Sequence, residues 1–101
     1  MKSESQKQEA RVADRFGGRT VPGSGNQWWL KNDVRTSRLS FELKTTGKKS
    51  FSLKDAELTE AYKHATLEGK EAVFGLQFEG SRRNWIMVTE DFFEELLDSW
   101  S

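Results

Sequence analysis

Three carboxylates and one ammonium group stand where they could act together. Glu42 and Lys44 are two residues apart in Leu39 to Thr45, a segment that alternates apolar and polar. In a strand such a pair leaves the same face of the sheet. Asp33 lies near the end of the preceding apolar segment, and Glu9 lies on the inward stripe of a helix-like stretch. Neighbouring strands are about 4.8 Å apart, so Asp33 and Glu42 can converge. Carboxylates drawn together repel, and a proton or a hard cation relieves them. Oxygen donors of this kind suit Mg²⁺, which keeps several waters and binds through one or two carboxylates plus substrate phosphate. Such an ion polarises a phosphodiester and lowers the pKa of a bound water. Lys44 is placed to orient that water or to stabilise developing charge. Taken singly, Glu42-x-Lys44 also suits a solvated salt-bridged face, and Asp33 suits a turn. It is their conjunction with Glu9 and a Gly/Ser/Arg loop that points to chemistry.

The elements that must position these groups follow from periodicity. Gln6 to Phe16 reads as a helix, with Val12, Ala13 and Phe16 on one face. Glu9 shares that face, a costly place for a carboxylate unless something positive meets it. Gly17-Gly18 stops the helix, and Arg19 to Asn26 is a loop. Trp28 to Arg35 and Leu39 to Thr45 read as paired strands. Gly47-Lys48 is a turn, and Ser50 to Leu53 reads as a short third strand. Asp55 to Glu68 is a second helix with Leu58, Ala61, Tyr62 and Ala65 on its apolar stripe. Ala72 to Phe78 and Trp85 to Val88 are two further strands, separated by the turn Gly80 to Asn84. Thr89 caps a final helix that carries Phe92, Phe93, Leu96, Leu97 and Trp100. The expected order is α-β-β-β-α-β-β-α, an α/β (α+β) fold with a mixed sheet of about five strands flanked by helices.

With 101 residues, the chain is expected to form a single domain, residues 1–101, with 1–5 as a flexible N-terminus. A composition of 35% hydrophobic and 32% charged residues excludes collagen, coiled coil and a fully disordered chain. There is no Cys, hence no disulfide framework and no thiolate chemistry. The longest apolar run, Trp85 to Val88, is far too short to span a bilayer, and the polar start does not resemble a signal peptide. No membrane association is expected, and the cytoplasm of a bacterium or a phage-infected host is the expected location. The net charge is zero, yet residues 1–54 hold twelve Lys and Arg against five acids, and residues 55–101 hold four against eleven. The halves are thus +7 and −7. Either the first half faces a polyanion, or the halves pair with each other. Arg11, Arg15 and Arg19, with Lys31, Arg35, Arg38, Lys48 and Lys49, could line a phosphate track whose affinity falls steeply with salt. Of Trp28 and Trp29, one is expected in the core. The other could stack on a base, meet a partner subunit or cap the sheet. The apolar surplus of the last helix could spill into a symmetric dimer contact. His64 has no His, Cys or acid cluster around it in sequence and is expected at the surface.

Asp33 … Glu42-Leu43-Lys44, preceded by a helix bearing Glu9, resembles the PD-(D/E)XK nuclease superfamily. The loop Gly18-Arg19 … Pro22-Gly23-Ser24-Gly25 brings the likeness closer to phage and archaeal Holliday junction resolvases. By motif it covers roughly residues 9–54, and by element order the remainder. The resemblance implies a restriction-endonuclease-like fold in which Asp33, Glu42, the Leu43 carbonyl and Glu9 hold Mg²⁺, with Mn²⁺ as a possible substitute. It implies that Lys44 assists the attacking water, and that Ser24 and Arg19 meet DNA phosphate or support the site. Asn32 stands where the superfamily often has Pro. The implied activity is a structure-selective endodeoxyribonuclease that resolves Holliday junctions as a homodimer. Its partner would be branched or duplex DNA, with no small-molecule organic cofactor. Two other readings remain open: a nuclease of the same type acting on single-stranded or flapped DNA, and a non-catalytic DNA-binding domain.

Overall fold

The computed structural model describes residues 3–20 and 33–100. Helix α1 spans Glu4–Phe16. Ser3 caps it, its hydroxyl accepting from the Gln6 amide while the Gln6 side chain accepts from the Ser3 amide. This reciprocal cap starts the helix earlier than the expected Gln6, so Ser3 to Ser5 belong to the helix end rather than to a flexible terminus. Gly17 ends α1 in the left-handed region, with φ 71°.

Five strands form one sheet in the order β1-β2-β3-β4-β5. They are β1 Arg19–Thr20, β2 Val34–Arg35, β3 Leu39–Thr46, β4 Glu71–Phe78 and β5 Asn84–Met87. β3 and β4 run parallel, and the remaining pairs are antiparallel. A parallel pair needs a crossover, which is α2, Asp55–Leu67. The last element is α3, Glu90–Trp100. The Thr89 hydroxyl accepts from the Phe92 amide at 3.1 Å and so caps it. The fold is therefore α+β, with a mixed five-stranded sheet and three helices in the expected order.

One strand is not the expected one. Ser50 to Leu53 forms no strand and connects β3 to α2. The fifth strand is instead Arg19–Thr20, paired to β2 directly after Gly17-Gly18. Gly18 permits this pairing, because a Cβ there would stand 2.8 Å from the Arg35 carbonyl oxygen. Of the expected strand from Trp28 to Arg35, the segment up to Asn32 lies outside the described residues, and β2 covers Val34–Arg35.

The alternation in β3 divides the sheet. Phe41 and Leu43 turn toward α1 and join Val12, Val34, Val73 and Phe92 in the main core. Glu42 and Lys44 turn to the opposite face, the side of α2. There Ala61 and Ala65 are buried, as is Phe74 of β4. Small residues on α2 let the crossover lie close to the sheet, which keeps the polar residues of β3 near its first turn.

Candidate active site

The site is built at the point where β2 stops and β3 continues. Val34 lies opposite Phe41 and Arg35 opposite Ser40. Asp33 immediately precedes β2, beside this pairing, with its carboxyl within hydrogen-bonding reach of Glu42. The Asp33 amide donates to the Phe41 carbonyl at 2.7 Å. Its side-chain Oδ2 then accepts from the Leu43 amide at 2.8 Å. A carboxylate oxygen thus takes the place of the next backbone rung and fixes the side chain beside Glu42.

Electrostatics shows the same convergence. The Glu42 carboxyl is pushed up to about 8. Burial is the largest cause, followed by a hydrogen bond with Asp33 and the Asp33 charge. Lys44 opposes the shift, while the charge of Glu57 on α2 adds to it. Glu9 is also raised, first by burial and then by the Asp33 charge. Asp33 therefore stands between Glu9 and Glu42, and Lys44 is near enough to act on Glu42. The four residues singled out by sequence are brought to one end of the sheet.

Two further residues complete the arrangement. Gln8 is 2% exposed, and its Nε2 donates to the Lys44 carbonyl at 2.9 Å. That bond ties α1 to β3 one residue from Glu9 and fixes how far Glu9 reaches. The sequence signal was present: Gln8 lies four residues before Val12, so a polar group sits on the apolar stripe. Glu57 enters from the first turn of α2, and no local pattern announces it.

Among the described residues, no three His, Asp or Glu side chains form a ready-made metal cluster. The donor chemistry nevertheless fits a hard divalent cation. Burial first, and then the neighbouring Asp33, keep the Glu42 carboxyl protonated up to about 8, and a cation would offset the same cost of charging it. Asp33 and Glu42 would be the holding pair, with Glu9 and the Leu43 carbonyl as further oxygen donors.

The basic residues divide. Arg19 is exposed on β1, and Lys48 is exposed in the turn after β3. Arg35 is bound to Glu68 at 2.8 Å, which makes it a structural ion pair. Arg11 and Arg15 leave the flank of α1 away from Glu9 and line a separate groove with Arg82. Ser24, Lys31, Trp28 and Trp29 lie outside the described residues. His64 is half-buried and pairs with Glu60 one turn earlier. No helix among the described residues is long and apolar enough to cross a membrane. Compared with known proteins, the chain matches no family model, no curated protein and no solved structure.

Proposed function

We propose that this protein is a Mg²⁺-dependent endodeoxyribonuclease of the PD-(D/E)XK type that resolves Holliday junctions as a homodimer in the cytoplasm. The observation that carries the reading is the contact between the Asp33 and Glu42 carboxyl groups, with Glu9 and Lys44 close by and Glu42 held protonated up to about 8. A carboxyl kept neutral by burial and by an adjacent carboxyl is a group prepared to exchange a proton for a cation. Asp33 and Glu42 would hold the ion, which when bound supplies a polarised phosphodiester and an acidified water.

The chain's own residues supply the rest. Asp33 is locked by the Leu43 amide and holds its carboxylate in place without help from substrate. Glu9 adds negative charge on the α1 side and is positioned by the neighbouring Gln8–Lys44 bond. The Lys44 ammonium shares the Glu42 face and is available to orient the attacking water and stabilise charge gathering on the phosphate. Lys48 and Arg19 are the exposed cations of the described residues that suit contact with flanking phosphate. A four-way junction requires two paired cuts, which two copies related by a two-fold axis provide.

The test is cleavage of matched four-way, flapped, single-stranded and duplex substrates at equal salt with Mg²⁺. Symmetric nicks near the crossover are expected, abolished in Asp33→Asn and Glu42→Gln while DNA binding persists. Cutting confined to flaps or single strands would move the substrate. Intact DNA throughout, with an active control enzyme, would end the nuclease reading and leave a binding domain.

A further inference from the structure

The last helix is the least docked part of the chain. Phe92 is its only buried residue. Phe93, Leu96, Leu97 and Trp100 remain exposed, Trp100 at 81%. α3 also carries five acids, Glu90, Asp91, Glu94, Glu95 and Asp98, and no base. It is an acidic amphipathic helix with an uncovered apolar stripe.

Its inner edge borders a surface of mixed character. One groove, of about 350 Å³, lies between the sheet residues Leu39, Val73, Ile86 and Val88 and the residues Phe92 and Leu96 of α3 itself. A second, also of about 350 Å³, shares Phe16 and Ile86 with the first, so the two are continuous. The floor of the second is a row across the sheet, Leu43, Gly75 and Ile86, which are register partners. Gly75 keeps that floor low. Arginines rim most of the combined groove: Arg11, Arg15 and Arg82 on one part, and Arg38 together with one acid, Glu71, on the other. None of them forms an ion pair among the described residues. Among the described residues, Arg11 donates to the Gln77 side-chain oxygen at 3.4 Å, and Arg15 lies over the Phe16 ring.

We propose that this groove receives α3 of a second copy, in a reciprocal two-fold exchange. It deepens the homodimer part of the reading above by naming the interface, and it stands apart from the cleavage part. Charge supports this occupant: the arginine rim meets the acids of α3, and the opposite charges of the two halves pair between copies. Area supports it too. Counting 150–250 Å² for a large aromatic side chain, the uncovered residues of α3 with Ile86 present roughly 500 Å² per copy. A standard interface buries about 800 Å² per partner, and the polar rim can supply the remainder. A two-fold arrangement satisfies both grooves at once and closes the assembly. Arg11 and Arg15 then serve the partner's acids rather than DNA.

The experiment is light scattering on the size-fractionated full chain. The wild-type chain is expected at twice the monomer mass, with dissociation promoted by salt. Leu97→Asp and Trp100→Ala are exposed changes that should leave the circular dichroism intact while weakening association at least about tenfold. The decisive arm uses charge exchange. One variant carries Arg15→Glu and Arg82→Glu, and the other carries Glu94→Arg and Glu95→Arg. Each alone should be monomeric, since like charges then face each other. Mixed together, they should recover the doubled mass, because both interfaces become complementary. A monomeric wild type, dimers that persist in every variant, or a mixture that stays monomeric overturns the proposal. Association is read from mass alone in the absence of DNA, so its outcome is independent of whether the wild-type chain cuts any substrate.

Discussion

Replacing Glu42 by Gln should stabilise the ion-free protein at alkaline pH, and the size of the gain follows from the site. The Glu42 carboxyl moves from an ordinary 4.5 to about 8 on folding. Below about 4.5 it is protonated whether the chain is folded or not, and it costs nothing. Between 4.5 and 8 the folded chain binds more protons than the unfolded one, so stability falls as pH rises. Above 8 the full penalty is present. At about 1.4 kcal/mol per tenfold, the ceiling is about 5 kcal/mol. Partial exposure of the site lowers it to on the order of 3 kcal/mol. For a domain of this size that is on the order of 15 °C in melting temperature. The assay is thermal unfolding from pH 5 to 9 in chelator. The wild-type midpoint should fall across this range. Glu42→Gln should be much flatter and more stable at pH 8 to 9, the residual slope belonging to Glu9, which is raised in the same sense. Adding Mg²⁺ at pH 8 should raise the wild-type midpoint and release protons, and should do little for the variant. A wild-type profile parallel to that of Glu42→Gln, or a variant less stable at pH 8, would refute the argument that two carboxyl groups are forced together here.

Substitutions at two further positions, Asp33 and Gly75, examine the scaffold. Asp33→Asn keeps an oxygen that can accept from the Leu43 amide, so it should fold normally and lower the Glu42 carboxyl. Asp33→Ala also strands that amide and should lose about 1–3 kcal/mol more, read by denaturant unfolding. Gly75→Ala places a Cβ 2.6 Å from Leu43 Cδ2, an overpacking that should cost about 1–3 kcal/mol and be partly recovered by Leu43→Val.

Much of this site could be read in the chain because local pattern and tertiary role coincide in β3. Alternation placed Phe41 and Leu43 on one face and Glu42 and Lys44 on the other, and the core follows that division. The helices were marked by their stops and caps, Gly17 and Thr89. The third strand failed for a physical reason. Phe51-Ser52-Leu53 alternates as a strand does, but alternation supplies no partner edge, and only tertiary structure decides whether one is free. Conversely, two residues, Arg19–Thr20, carry too little pattern to be read as a strand. Their pairing is created by the chain reversal at Gly17-Gly18. Glu57 was invisible because its influence on Glu42 depends on how α2 crosses the sheet. The arginines were visible as charge, but their separation into an ion pair with Glu68 and a groove rim was not.

The rung supplied by Asp33 also sets a boundary. A second main chain cannot take the Leu43 amide, because a side-chain oxygen already occupies it. Oδ2 is committed to the scaffold, and the same carboxyl group also bonds Glu42. Exchange of the Leu43 amide hydrogen with solvent therefore becomes a reporter of the carboxylate itself: whatever draws Asp33 away from the strand should expose that single amide before any of its neighbours.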